Sequence, residues 1–480
     1  MNIKNALNRA AIHYKQQNFN ESLVVCEKVL SKNSKVKEAM YLLALNYQSL
    51  GYYKQSVLAF ENLIKVHGGN ADAYNALSNT YICLNDFVNA EKYCQLALRN
   101  EPNFAEAHNN YAICAHNTGQ AELAEKHYKQ AILLKGDELV FRLNLGKLYK
   151  ELGYFEKSNE TLLKLMEFNG DKSAVYFNIY ENFMYMHQYE NALEVADLGI
   201  VSQQLKDIDL IELLVGKAIL FWLFDNIDEA EQAIQLSQSL YTYQDESYAN
   251  LTNLKVFHVY LTKLIAFYRE NSELYGERAG DLYFISESHG FAPNNMQVTI
   301  KEQPFNIRSL FIKGAKVFHF TQAGPNRFKE SLARLVNGLP EKSKVVFAFG
   351  EIDCRYNEGI LKYCLAYEKD YREVIDTMLA KYLELLTEVS KEKQFSMMLY
   401  GVPAPHPDQL NLLAEEQSNE LKQVISYFNQ VLREYCKSHH FAFLDVYQAT
   451  ELNGESNKKY HIDDIHVAPC MVPELLKKLV

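Results

Sequence analysis

Along the first half of the chain, apolar residues return every three to four positions, the spacing of helices with one buried face. That pattern itself repeats. One position in a first helix reads Leu43, Leu77, Tyr111, Leu145 and Ile179, at a spacing of 34 residues. The residue after it is small in Ala44, Ser78, Ala112 and Gly146, then Tyr180; three further on stand Tyr47, Tyr81, Ala115, Tyr149 and Phe183. In a second helix a small residue recurs as Ser56, Ala90, Ala124, Ser158 and Ala192, followed four positions later by Phe60, Cys94, Tyr128, Leu162 and Ala196. Two antiparallel helices approach closely only where one side chain is small and a larger neighbour fills the adjoining space. A single pair leaves an apolar face open, so pairs must stack. The expectation is an all-α solenoid over 1–240, with a degenerate first unit and a last unit shifted by an insertion, about six to seven helix pairs in all. The stretch "DESYANLTNLKVFHVYLTKLIAFYRENSELY" keeps the helical period without the small residues, and is expected to cap the array over 241–275.

From Asp281 the period changes. Short apolar runs ("DLYFIS", "SLFIKG", "VFHF", "KVVFAFG", "SMMLYGV", "FAFLDV") alternate with long helical stretches. Continuous apolar strands separated by helices predict a three-layer α/β domain over 276–480, its mostly parallel sheet covered on both faces. Sites in such sheets lie beyond the carboxyl ends of the strands. The strand exits are Ser286–His289, then Gly314, "GEIDCR" from Gly350 to Arg355, "VPAPHP" from Val402, and "HIDDIHVAP" from His461. Polar residues therefore gather where a pocket would open.

Composition narrows the partners. The chain has 480 residues, more than one core usually supports, and a formal net charge of −11. That charge disfavours nucleic acid and anionic membrane surfaces as main partners, and neither is expected. No signal-like apolar segment opens the chain, and its most apolar stretch, "LIELLVGKAILFWLF", carries Glu212 and Lys217. No membrane insertion is expected. Eight scattered cysteines without a Cys-x-x-Cys pair suggest a reducing, cytoplasmic setting. No glycine-rich phosphate cradle is present, so no cofactor is expected.

The 34-residue pattern resembles the tetratricopeptide repeat family. That resemblance implies a concave groove for a protein or peptide partner; a spacer or dimerisation arm remains the alternative. The strand-exit residues of the second half resemble the SGNH (GDSL-type) hydrolase superfamily, which implies a flavodoxin-like sheet. Ser288 takes the nucleophile position, Gly314 the oxyanion glycine, Gly350 and Asp353 the third block, and Asp463 and His466 the Asp-x-x-His pair. In that chemistry His466 removes the Ser288 proton and Asp463 orients the imidazole. Two blocks depart from the family pattern. Gly-Asp-Ser is replaced by Ser286-Glu287-Ser288, and Ile352 stands where an asparagine usually donates to the oxyanion. Losing such a donor costs on the order of 10²–10³ in turnover. Arg355 and His289 are the candidate replacements. "GEIDCR" also resembles a variant third block of SGNH-like domains associated with bacterial surface polysaccharides.

Other readings stay open for these residues. Ser288 also fits a helix N-cap. Asp464 competes with Asp463, Arg355 either binds a substrate anion or pairs with Glu351, and Glu351 and Asp353 also fit structural roles, holding their loop by hydrogen bonds. Cys354 reads poorly as a nucleophile, having no base of its own. His461, Asp463, Asp464, His466 and Cys470 offer metal-ligand chemistry, but sequential loop residues rarely converge on one ion, and no metal is expected. The resemblance implies a serine esterase or acyltransferase acting on O-acyl groups, O-acetyl above all, of a glycan or glycosylated protein. The alternative is an inactive SGNH-like domain in a repeat scaffold, with chaperoning of a secreted or flagellar subunit as one form of it.

Overall fold

A computed structural model describes residues 2–167, 172–202, 205, 207–240, 252–276 and 280–478. The first part of the expected cap, 241–251, and the boundary residues 277–279 lie outside the described residues. The chain divides into two compact units, one of residues 1–150 with 156–170, the other of 151–155 with 171–480.

The first unit is a stack of helix pairs: Ile3–Lys15 with Phe19–Leu30, Lys37–Ser49 with Tyr53–His67, Ala71–Cys83 with Phe87–Asn100, and Ala105–Asn117 with Ala121–Leu134. Most of a fifth pair, Leu139–Glu151 and Phe155–Leu163, follows. The small positions mark the crossings. Ala44, Ala90, Ala112 and Ala124 are fully buried, and a Cβ on Gly146 would come within 2.7 Å of Leu162. Where the second-helix position is serine, its hydroxyl donates to the first helix at the crossing: Ser22 to Ala10 O (2.9 Å), Ser56 to Ala44 O (2.9 Å) and Ser158 to Gly146 O (2.7 Å). In these three pairs a buried hydroxyl is thus satisfied at the closest approach.

The second unit begins with further helices, Ser173–Tyr185, Tyr189–Val201, Asp207–Leu223, Ile227–Leu240 and Thr252–Glu270. A six-stranded mixed sheet follows: β1 Asp281–Ser286, β2 Gln297–Ile300, β3 Gln303–Phe311, β4 Lys344–Ala348, β5 Ser396–Tyr400 and β6 Ala442–Leu444. The spatial order is β2-β3-β1-β4-β5-β6, with β2 antiparallel to β3 and the other pairings parallel. Alternate residues face opposite ways. Val345, Phe347, Met397 and Leu399 pack with Leu335, Leu383 and Phe428 from the helices Arg327–Gly338, Tyr371–Lys393 and Glu415–His439. Leu282, Phe284, Val346 and Met398 pack with Val472 and Leu475 of the helix Met471–Leu476. Burial on both faces explains why these strands read as unbroken apolar runs. Among the described residues no helix is long and apolar enough to cross a membrane.

Candidate active site

Chain order reverses at β1, because the connection to β3 runs to one side and the next, to β4, runs to the other. The carboxyl end of such a strand opens a crevice. Register sets what lines it. Ser286 aligns with Phe311 of β3 and Ala348 of β4, and Phe347 with Leu399 of β5. Two residues further along, Ser288, the Lys313–Gly314 turn, Gly350 and the Val402 loop reach one rim.

Past β1 the chain turns abruptly into a short 3₁₀ helix, Ser288–Phe291. Glycine is required at 290, where a Cβ would meet Ser286 Oγ at 2.0 Å. The turn's N-cap is Glu287, whose carboxylate accepts from His289 N. Ser288, which also fitted an N-cap from sequence, occupies the next position.

Ser288, His466 and Asp463 form one hydrogen-bonded chain. Ser288 Oγ lies 3.0 Å from His466 Nε2, and His466 Nδ1 lies 2.9 Å from Asp463 Oδ2. Asp463 also accepts from the backbone N–H groups of Ile465 (2.8 Å) and His466 (2.6 Å), closing the loop on itself. Burial pushes the Asp463 carboxyl up, but the His466 hydrogen bonds and charge outweigh it and hold the acid well below its ordinary value. An ionised Asp463 can only accept, so Nδ1 carries the proton and Nε2 offers its lone pair to the serine. Burial is also what keeps the His466 imidazole below its ordinary value, against the opposing pull of Asp463. The ring is 1% exposed and Ser288 8%.

The serine has a second acceptor. Glu287 Oε2 lies 2.9 Å from Ser288 Oγ, so one hydroxyl proton faces both a carboxylate and an imidazole. Glu287 Oε1 takes a hydrogen bond from His289 Nδ1 at 2.8 Å, and His289 Nε2 lies 3.3 Å from the carbonyl of Ile465. Both His289 nitrogens therefore meet acceptors, and the ring is a buried imidazolium. Burial lowers its pKa, but Glu287 raises it more, to about 9; Glu287, which burial raises, is drawn down to about 2 by His289.

Charge continues into the loop after β4. Arg355 binds Glu351 through Nε (2.9 Å) and a second guanidinium nitrogen (2.7 Å), and reaches Glu358 at 3.3 Å. Donor atoms of Glu287, His289 and Glu351 lie within 4.8 Å of one another, a spacing that would suit a metal ion. Each already has an opposite charge beside it, and no step here is routed through an ion. Arg355 thus takes the Glu351-paired role of its two sequence readings.

The remaining candidates sit as follows. Gly314 occupies a left-handed turn (φ 66°) with open space where a side chain would be. Gly350 has φ 127°, and a Cβ there would strike Phe428 at 2.6 Å. Asp353 turns away from the serine. Its buried carboxylate accepts from Val317 N (2.7 Å) and Phe318 N (3.0 Å), capping the short helix Val317–Thr321 beyond Gly314, and burial pushes its pKa up to about 6. Ile352 is buried, as a core residue would be. Burial drives the Cys354 thiol well above its ordinary value, which leaves no thiolate to attack. His461 bonds Ser456 at 2.6 Å rather than joining the Asp463–His466 hydrogen bond, and Asp464 offers its backbone carbonyl to Gln409.

One neighbour of the site lies outside every strand-exit motif. Tyr260, on the helix Thr252–Glu270, stacks face to face on His466 with ring centroids 3.6 Å apart and planes 3° from parallel. Sequence reading missed it because an aromatic on a helical face is the usual signature of a core residue.

The first unit offers a different surface. A groove of about 540 Å³ is lined by Tyr41, Gln48, Asn75, Asn79, Asn110 and Phe141 among others. Asparagine amides link successive pairs across it, Asn110 to Asn75 (2.9 Å) and Asn144 to Asn109 (3.0 Å).

The tetratricopeptide repeat family matches residues 71–104, 93–126 and 141–172. The N-terminal helical array is built of tetratricopeptide repeats, followed by a region that contains a mixed sheet. Similar solved structures include a thermophilic tetratricopeptide protein of Thermus thermophilus (21% identity, 38% of this chain and 98% of that one, TM-score 0.34). Others are Pseudomonas aeruginosa pilF (19%, 45% and 96%, 0.36) and YrrB, described as a tetratricopeptide protein with an unusual peptide-binding site (22%, 35% and 88%, 0.29). No curated protein matches the chain.

Proposed function

We propose that the second unit is an SGNH-type, flavodoxin-like acyl-transfer site in which Ser288 is the nucleophile, His466 the general base and Asp463 its orienting acid. The substrate is an O-acyl ester, O-acetyl above all, on a glycan or glycosylated protein, and the product is either the free alcohol or a transferred acyl group. Repeats in the first unit recruit a protein or peptide partner through the asparagine-lined groove. The observation carrying this reading is the continuous Ser288–His466–Asp463 hydrogen-bonded chain at 3.0 and 2.9 Å, joining residues 178 positions apart. Such reach is what proton removal from a serine requires.

Attack proceeds as Ser288 Oγ adds to the ester carbonyl while its proton passes to His466 Nε2. The imidazolium then returns that proton to the leaving alkoxide, and water or an acceptor alcohol repeats the sequence on the acyl-enzyme. Labelling by a fluorophosphonate probe, together with hydrolysis of 4-nitrophenyl acetate, tests the assignment. Ser288→Ala abolishes both signals and His466→Ala lowers turnover on the order of 10³-fold or more. Equal activity in wild type and both variants rejects it.

A second reading is favoured by two features. Ile352 cannot donate to an oxyanion, and the Glu287 carboxylate competes for the Ser288 proton. On that reading the unit is an inactive recognition module within a repeat scaffold. A wild-type protein that the probe leaves unmarked, yet that retains binding to an acetylated glycan, favours it.

A further inference from the structure

The helices that precede the sheet reach its rim. Trp222, on the helix Asp207–Leu223, donates from Nε1 to the carbonyl of Phe291 at 2.9 Å, and Asn294 returns a bond from Nδ2 to the carbonyl of Trp222 at 3.0 Å. Phe291 closes the turn that carries Ser288. Tyr260, Leu261, Leu264 and Ile265 of the helix Thr252–Glu270 share one apolar cluster with Phe291, Ala292 and Phe311. Tyr260 lies between two rings, stacked on His466 and, at 6.1 Å and 19°, on Phe291. It is fully buried.

We infer that Tyr260 is a positioning residue of the acyl-transfer site, so that the site is completed by a helix from outside the sheet. This rests on the reading of His466 as general base. The Asp463 bond fixes one edge of the imidazole but leaves the ring free to rock about the Nδ1–Oδ2 line. A parallel ring at 3.6 Å removes that freedom and keeps Nε2 aimed at Ser288. The same ring excludes water from the imidazole face.

The charged and titratable groups facing His466 are Asp463 and His461 on its own loop, Glu287 and His289 after β1, and the Ser288 hydroxyl. Tyr260 is what the helix presents. Removing its ring admits water, which relieves the burial that depresses His466 and moves its titration to higher pH. The acidic limb of kcat/KM therefore shifts upward in Tyr260→Ala, while kcat falls about tenfold to a hundredfold and KM stays within about threefold. Tyr260→Phe keeps the ring and recovers most of the loss. If Tyr260→Ala fails to fold, Tyr260→Leu tests the kcat effect with the volume largely retained.

The experiment pairs these kinetics with NMR titration of ¹⁵N-labelled imidazoles in the full chain, His466 being assigned with His466→Gln. Inactive wild type defeats the reading of the site, and the NMR arm then decides Tyr260 alone. An unshifted His466 titration in Tyr260→Ala, or unchanged kcat in an active enzyme, overturns the inference. An upward shift with rescue by phenylalanine supports it.

Discussion

At the scale of single residues, the feature with the clearest thermodynamic signature is the buried Glu287–His289 pair, 2.8 Å apart and almost unexposed. Its two members are linked to pH in opposite directions. Glu287 is drawn below its ordinary value, so its stabilisation is complete above about pH 4.5 and fades as pH falls toward about 2. His289 is raised, so its share is complete below about pH 6.5 and is lost as pH climbs through about 9. The pair's contribution to the melting temperature, read as wild type against Glu287→Gln, is therefore expected to be largest between about pH 4.5 and 6.5 and to decline toward pH 9. Glu287→Gln removes the partner that raises His289, so the alkaline decline at this site flattens; an equal slope in wild type and variant contradicts the pairing. The residue pattern made Ser288, His466 and Asp463 legible because each stands beside an apolar run in a spacing with chemical meaning. Glu287 was legible only as a departure from Gly-Asp-Ser. That it would face both the serine and an imidazolium depends on the sharp turn after β1, which no spacing reveals.

At the scale of elements, the repeat was readable because its rule is local: a small side chain at a fixed position lets a neighbour in. Gly146 and Leu162 test that rule directly. A valine at 146 places branched carbons where Leu162 already stands, since even a Cβ comes within 2.7 Å of it. Gly146→Val is expected to destabilise the array by about 1–3 kcal/mol, and Leu162→Ala, added to it, to restore part of the loss. Chemical denaturation followed by far-ultraviolet circular dichroism measures both, and strictly additive effects would show that the two positions do not share one space. The α/β elements were readable apart from "VFHF", an apolar run that reads as a strand but forms the short helix Val317–Thr321, and apart from β2. Its antiparallel pairing with β3 adds an edge strand to an otherwise parallel sheet and carries no distinctive apolar run. Asp353 takes the structural one of its two readings. A carboxylate two residues before Arg355 reads as part of a rim, whereas its lone pairs serve the helix Val317–Thr321.

At the scale of the whole molecule, sequence period and compactness divide the chain at different places. The period changes near residue 281, but the second compact unit takes in 151–155 and everything from 171 onward. The reason is physical: Trp222, Tyr260, Leu261, Leu264 and Ile265 share one core with Phe291 and Phe311, so the sheet's rim is buried by helices written earlier in the chain. A fragment of residues 276–480 would expose Phe291, Phe311 and the His466 ring together. Each large side chain uncovered costs about 1.5–3 kcal/mol, and several at once approach the whole stability of a typical domain. That fragment is expected to aggregate or to bind a hydrophobic dye, with a melting temperature well below that of a chain starting at residue 151, which keeps Phe155 stacked on Tyr185 at 5.8 Å as well as the Trp222 and Tyr260 contacts. Equal melting temperatures and equal dye binding for the two fragments would mean that the helices merely rest on the rim. A selective loss in the shorter one makes the helices that precede the sheet part of the body that holds Ser288 beside His466.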